Sequence, residues 1–464
     1  MSFPFRAGVV AGCTLLLACT ASPQTPLTMP PTFVHPYTPT PTETLVADPP
    51  TLPFDLAPQI AITPTLSFRD QTVFGYTYIS PDGNRLIAGS GGFNSQSATE
   101  LKVDGRPIWL VGAALDGGGS IWAAVLEDGR IEAWHILAGH VTSIDLGIEH
   151  LPAESPPLLM IYRGAPSLVT GPEDASPRSH PVLILGNPEN LAYIDVEGNL
   201  VIRIAGQTNQ LDIQALPDAR LIQDERGYLL VFAGKTQRYP HAVLGDEFEA
   251  GRIDLIDPFR AQVVESIRLD SPWVFEGIAP IWVDIDQDGA REILATRSNP
   301  ETGAQLILYN EAGEVLASGP PAGRGFLWRH QLLIAPFSGD PTMEIVDILT
   351  PHTGGTTEFY RWNGANLEVI SAAQGFTSHL LGSTNLDMTL AGDFDGDLVP
   401  ELLIPTETFD TLGALSLASG SVQVVWSLFL GARLSTNLAA VTLSDGTIAL
   451  GAGLENGVVR LWLP

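Results

Sequence analysis

Two segments place oxygen ligands at metal-binding spacing. In VDIDQDGAREILA, Asp284, Asp286, Asp288, Gly289 and Glu292 occupy positions 1, 3, 5, 6 and 9 of a tight loop, and in GDFDGDLVPELLIP, Asp393, Asp395, Asp397 and Glu401 occupy positions 1, 3, 5 and 9. A turn that directs every second side chain inward converges its carboxylates on one point. Ca²⁺ takes about six to eight oxygens at about 2.3 to 2.6 Å. Such a turn supplies three, the main-chain carbonyl at position 7 a fourth, and the acid at position 9 one or two more. Ala290 and Val399 would give those carbonyls. An EF-hand needs a glutamate at position 12 between helices, whereas position 12 here is Ala295 or Ile404 and the flanks read as strands. A hydrated acidic turn would explain one isolated copy better than two copies that share the acid at position 9. Both loops are therefore expected to bind Ca²⁺. The second is expected to bind it less well, because Leu398 stands where the first has Gly289 and resists a left-handed backbone. A third segment, APFSGDPTMEIVD, aligned on Glu344, sets Pro336, Ser338, Asp340 and Pro341 opposite positions 1, 3, 5 and 6 and is expected to bind nothing. Asp284, Pro336 and Asp393 are 52 and 57 residues apart, which fits three consecutive repeats of one unit.

The elements around these loops read as strands. From Phe74 onward, short apolar runs alternate with Gly, Asp, Asn and Pro clusters, and no helical period is sustained. A polar or small residue followed by Gly and an apolar run recurs at Asp82-Gly83, Asp128-Gly129, Glu197-Gly198, Ala250-Gly251, Ala312-Gly313, Asn363-Gly364, Ser419-Gly420 and Asn456-Gly457. These are expected to be hairpin turns, at a spacing of roughly 45 to 65 residues. A repeat of that length built from short strands predicts an all-β chain folded as a β-propeller of seven or eight blades over residues 61–464. Closure would bring the C-terminal strands to a blade begun near Phe74 and leave no open sheet edge. Trp134, Trp426 and Trp462, at strand ends, are expected to pack blades together.

The DxDxD loops with an acid at position 9 and strand flanks resemble the calcium loops of FG-GAP repeats, found in integrin-α propellers and in bacterial surface proteins with VCBS-type repeats. That resemblance implies a propeller with Ca²⁺ between strands of a blade and a role in adhesion, ligand recognition or scaffolding. More locally, Gly457-Val-Val-Arg-Leu-Trp462 resembles the last strand of a WD-repeat blade, and Ser80-Pro81-Asp82-Gly83 resembles turns of periplasmic propellers of the translocation-protein B type.

The chain opens MSFPFRAGVVAGCTLLLACTASPQ, with one positive charge at Arg6 and an apolar run from Ala7 to Ala18. That run is shorter than the about 20 residues of a membrane span and reads as a signal peptide over residues 1–18. Leu16-Leu17-Ala18-Cys19 resembles the bacterial lipobox, so Cys19 is expected to be acylated and to become the mature N-terminus. Val10-Ala11-Gly12-Cys13 matches as well but leaves a shorter apolar core. Ordinary secretory cleavage at Ala18 or Ala21 is the plainer alternative. Against it, both cysteines of the protein, Cys13 and Cys19, fall within its first 19 residues, and Cys19 has no other evident use. Residues 19–60 are rich in Pro and Thr and are expected to form a disordered tether.

The formal charge of −29, with Lys102 and Lys235 the only lysines, argues against nucleic acid or anionic lipid as a partner. No HExxH or GxSxG motif occurs, and the nine histidines are scattered. The expected function is that of a non-catalytic, calcium-stabilised, membrane-anchored propeller outside the cytoplasm, binding a protein or glycan ligand. An envelope-assembly scaffold is the alternative, and an enzyme acting on polysaccharide ranks third.

Overall fold

In the computed structural model, which describes residues 72–93 and 97–464, the short apolar runs form strands whose antiparallel pairing sorts them into eight blades, three of them linked edge to edge in one sheet, with Leu86–Ser90 added in parallel to Leu390–Asp393. Apart from one 3-10 turn at Ile184–Gly186, the described residues contain no helix. The fold is a β-propeller of eight blades, the larger of the two expected numbers.

Blade 1 comprises Pro107–Leu115, Gly119–Leu126, Ile131–Leu137 and His140–Ile144. Blade 2 has three strands, Val73–Gly75, Leu158–Tyr162 and Ala165–Val169. Blade 3 follows from Val182 to Asp212 and blade 4 from Ile222 to Arg268. Blade 5 runs from Val274 to Ser318, blade 6 from Arg329 to Gln374 and blade 7 from Leu390 to Phe429. Blade 8 consists of Ala439–Thr442, Ile448–Leu454 and Val458–Trp462, with Thr99–Lys102 as its outer strand. Single residue pairs, Ala250 with Phe275 and Ser318 with Asn366, join the edges of blades 4, 5 and 6.

Strand composition follows position in the blade. Strands covered on both faces by neighbouring blades are mostly apolar: every residue of GSIWAAVL, Gly119–Leu126, the second strand of blade 1, is buried. Outer strands face water, as in QTNQLD, Gln207–Asp212, which exposes all but Leu211. The apolar clusters lie mainly between blades. Leu110, Trp122 and Trp134 of blade 1 pack on Val441, Ala449, Val459 and Leu461 of blade 8, which closes the ring.

Closure differs from the expectation in one respect. Phe74 belongs to the inner strand of blade 2, where it pairs with Met160, and the C-terminal blade is completed by Thr99–Lys102. The N-terminal part of the domain thus closes two blades instead of one. Its approach to blade 1 is close: a Cβ on Gly75 would stand 2.2 Å from the carbonyl oxygen of Gly112.

Between these two strands the chain passes along the inner strands in turn. Tyr78 stacks on His180 beside blade 3 at 5.3 Å. The carbonyls of Pro81 and Asp82 accept from Gln223 N (2.7 Å, blade 4) and Trp282 N (3.0 Å, blade 5). The Asn84 side chain bonds both backbone groups of Ile334 in blade 6 at 2.9 Å. Arg85 O accepts from Ala391 N in blade 7, and Ser90 N donates to Gly446 O in blade 8. At its centre Asp387 is fully buried and accepts from Thr77, Arg85 and Arg220, with Arg220 bidentate at 2.7 and 3.1 Å.

Of the turn-like dipeptides, six join neighbouring strands of a blade. Asp128-Gly129, Glu197-Gly198 and Asn456-Gly457 join second to third strands, and Ala312-Gly313, Asn363-Gly364 and Ser419-Gly420 join third to fourth. Two do not. Ala250-Gly251 lies inside the strand Glu249–Asp257, where a Cβ on Gly251 would stand 3.0 Å from Gly234 O, so the glycine serves a close approach. Asp82-Gly83 belongs to the segment that crosses the inner strands. Cys19, the leader 1–18 and the tether 19–60 lie outside the described residues.

Candidate metal centres

Both acidic loops join the innermost strand of a blade to its second strand, in blades 5 and 7, and APFSGDPTMEIVD makes the same turn in blade 6. The three segments stand in consecutive blades, as their spacing predicted. Each position-9 glutamate opens the second strand and is buried: Glu292, Glu344 and Glu401. All three staple their loop: Glu292 Oε2 accepts from Ile285 N and Glu401 Oε2 from Phe394 N, both at 2.8 Å, and Glu344 Oε2 accepts from Ser338 N at 3.3 Å.

The backbone explains how two different sequences make one turn. The first loop is left-handed at Gln287 (position 4, φ 63°) and Gly289 (position 6, φ 93°). The second is left-handed at Gly396 (position 4, φ 89°) and Leu398 (position 6, φ 73°). Each loop therefore has one glycine and one residue held against its preference. In the second loop the glycine has a further reason to stand at position 4, because a Cβ on Gly396 would approach Gly91 O to 3.0 Å.

Three carboxylates converge in each loop. Asp284, Asp286 and Glu292 have oxygens all within 4.8 Å of one another, and so do Asp393, Asp395 and Glu401. Asp288 and Asp397 are not part of these groups. Each is exposed and turns an oxygen back to the N–H two residues on, Ala290 at 2.8 Å and Val399 at 2.9 Å. The cluster among the described residues is thus positions 1, 3 and 9; Asp286 and Asp395, at position 3, make the same turn-capping bond, accepting from Asp288 N and Asp397 N at 3.2 Å. Ala290 is exposed and Val399 half-buried, each one turn residue after that capping aspartate. The remaining bonds fix the loops, with Asp284 accepting from Asp288 N (3.1 Å) and Gly289 N (3.0 Å), and Asp393 from Gly396 N (2.7 Å).

The electrostatics differ between blades in a way that the sequence pattern did not reveal. Burial pushes the Glu292 carboxyl up to about 7, and the charges of Asp286, Asp284 and Asp288 add to it, against the bond from Ile285 N. Burial likewise pushes Glu401 up to about 8, with Asp395 adding, against the bond from Phe394 N. In blade 6, where Pro336 and Ser338 replace the first two aspartates, Arg361 Nη2 sits 2.5 Å from Glu344 Oε1. The residue on the adjoining third strand is Asn310 opposite Glu292, and the register places Ser416 opposite Glu401. Trp426, half-buried, points its Nε1 toward Glu401 Oε1 at 3.5 Å. The one copy lacking the aspartates has an arginine; the two that keep them have neutral residues. Asp393 adds a second sign, since it is 7% exposed and its Oδ2 is buried with no hydrogen-bond partner among the described residues. Two all-oxygen acidic clusters that could hold a metal ion are thus present, and the hard donor set fits Ca²⁺.

No family model matches the sequence, and no curated protein does. Similarity is to solved structures. BamB from Moraxella catarrhalis is 14% identical over 80% of this chain and 97% of that one, with a TM-score of 0.38. The WD40 domain of Toxoplasma gondii coronin is 8% identical over 81% of this chain and 88% of that one, with a TM-score of 0.42. A europium-containing methanol dehydrogenase is 7% identical over 82% and 90%, with a TM-score of 0.49. The ring described above rests on its own strand pairing.

Proposed function

We propose that this protein is a Ca²⁺-stabilised propeller of FG-GAP type that binds a macromolecular ligand without catalysis, anchored outside the cytoplasm by a lipid on Cys19 and a tether over residues 19–60. The observation that carries the calcium reading is the exchange of an arginine for two aspartates around one buried glutamate. Glu344 has Arg361, whereas Glu292 and Glu401 face Asn310 and Ser416 and have the aspartates instead. A cation in blades 5 and 7 would do what Arg361 does in blade 6. Each ion would tie the first two strands of its blade together.

A protein ligand is favoured over a glycan by the tryptophans. None of the nine is exposed: Trp109, Trp122, Trp134, Trp282, Trp328 and Trp462 are buried, and Trp273, Trp362 and Trp426 are half-buried. Six of the nine indoles thus offer no face to a sugar ring, and of the others Trp362 lines a cleft with Asp286 and Gln287. The ligand would meet the face opposite the metal loops, where residues 375–389 link blades 6 and 7 and leave Leu381 72% exposed.

Thermal melting in Ca²⁺ and in EDTA tests the metal reading. At an ion concentration ten times Kd each site adds about 1.4 kcal/mol. EDTA is expected to lower Tm, and Asp284→Asn with Asp393→Asn to abolish the difference; a melt indifferent to EDTA would overturn the reading. Failure of palmitate labelling would remove the anchor and leave the calcium propeller as a secreted domain.

A further inference from the structure

The scattered histidines do not stay scattered. His330, from the inner strand of blade 6, His352, from the turn between its second and third strands, and His379, from the link to blade 7, meet at one place. The rings of His352 and His379 are 4.5 Å apart between centres at 76°, and those of His330 and His379 are 5.3 Å apart at 85°. Trp328 stacks on His330 at 5.3 Å and closes the cluster from behind. In front of it opens a cleft of about 400 Å³ whose wall includes His352, His379, Glu407, Phe409 and Arg433.

We propose that this cleft binds a late first-row divalent transition metal through the Nε2 atoms of His352 and His379. Both Nε2 atoms are buried and have no hydrogen-bond partner among the described residues, although the imidazoles line a cleft. A buried polar atom left unpaired is destabilising, so two in one cluster point to something that occupies them. His379 is fully buried, and its Nδ1 lies 2.9 Å from Ser378 Oγ, which lies 2.9 Å from His330 Nδ1. A hydroxyl between two imidazoles donates to one and accepts from the other. With His379 Nδ1–H donating to Ser378 and Ser378 donating to His330, the Nε2 of His379 is a bare lone pair. That is the outer-shell arrangement that orients a metal-binding imidazole.

The geometry suits one ion shared by both rings. Imidazoles on a tetrahedral ion at about 2.0 to 2.1 Å have centres about 5 Å apart, close to the separation found here. Burial lowers the pKa of His379, with His330 and His352 adding, and burial lowers that of His352, with His241 adding, so both rings are in the neutral form that metals need. Nitrogen donors select Zn²⁺, Cu²⁺ or Ni²⁺ over Ca²⁺. Two protein ligands leave coordination positions open to water or to a group of a ligand in the cleft, with Glu407 on the same wall. The site is separate from the acidic loops and stands or falls without them.

Cu²⁺ is the probe that distinguishes the two kinds of site, because imidazole nitrogens split its paramagnetic resonance spectrum and the carboxylate oxygens of the acidic loops do not. Tag-free protein with excess Ca²⁺ is expected to bind one Cu²⁺ with nitrogen splitting, and Zn²⁺ to displace it. His352→Ala, at a half-buried position, is expected to remove that signal and weaken Zn²⁺ binding at least about tenfold. His379→Gln is expected to do the same. The proposal is overturned if no nitrogen-coupled ion binds, which would leave the cleft to water, or if the signal survives in His352→Ala, which would assign it to surface histidines such as His140.

Discussion

Leu398 is 82% exposed and held at φ 73°, so its side chain gains little from burial while its backbone sits in the left-handed region. An L-residue there costs about 1 to 2 kcal/mol, and Asn tolerates the region best among residues with a Cβ. Leu398→Asn is expected to stabilise the protein by about 1 kcal/mol and to tighten Ca²⁺ binding by the second loop. Urea unfolding in EDTA and a calcium titration would check the two effects separately. Arg361 gives the reverse case. In Arg361→Asn, blade 6 would carry the residue type of blade 5 without its aspartates, and fully buried Glu344 would lose its counter-charge. A loss of about 2 kcal/mol is expected, below the range for a fully buried pair because Arg361 is half-exposed, and Ca²⁺ should not restore it. The acidic loops could be read from sequence because their chemistry is local: three or four carboxylates within nine residues. Arg361 could not, since it reaches Glu344 across two strands. Aligning the third-strand residues Asn310, Arg361 and Ser416 would have been the signal.

Among the elements, residues 72–93 depend most on their context. They pair with elements far away in sequence, with Leu158–Tyr162 through Val73–Gly75 and with inner strands through Pro81, Asp82, Asn84 and Arg85, so no spacing within the segment announces the role. The blades themselves were legible because apolar runs and Gly turns are set by neighbours in sequence. The strand that closes the last blade could not be read in the same way: Thr99–Lys102 is the mixed run TELK and Phe74 lies in a short apolar one, and only the ring decides which joins which blade. What fixes residues 72–93 is Asp387, whose carboxylate joins Arg85 of the segment to Arg220 ahead of blade 4. Burial raises its pKa, but the two arginines overcome this and hold it below the usual carboxylate range. Asp387→Ala would leave two buried guanidinium groups facing one another, and a loss of about 3 to 5 kcal/mol is expected. Chemical denaturation would measure it. Asp387→Ala together with Arg85→Met should recover part of the loss, because one unpaired charge leaves with its partner.

For the whole molecule, closing the ring around this segment buries titratable groups that the unfolded chain exposes. His180 is 3% exposed and stacked on Tyr78 where the segment passes blade 3. Burial lowers its pKa to about 4, with Arg220 adding, against the bond at Pro181 O. An unfolded imidazole titrates near about 6.5, so below that pH the unfolded chain takes up a proton that the folded protein refuses. The contribution of His180 is complete above about pH 6.5 and is lost as pH falls toward 4. Two buried carboxyls act in the other direction. Burial pushes Asp218 up to about 6 and Asp347 up to about 7, each against a neighbouring arginine, so their protonated folded forms weaken the fold as pH rises from about 4 into that range. The wild-type profile mixes these slopes, and a single variant separates them. In His180→Phe, which keeps the stack on Tyr78, the slope of unfolding free energy against pH between 4.5 and 6 is expected to fall by about 1.1 kcal/mol per pH unit, most of the value of one proton. Urea unfolding at several pH values in saturating Ca²⁺ would measure the difference between the two proteins. A slope equal to wild type would mean that His180 titrates freely in the folded protein and that the packing of residues 72–93 against blade 3 is looser than described.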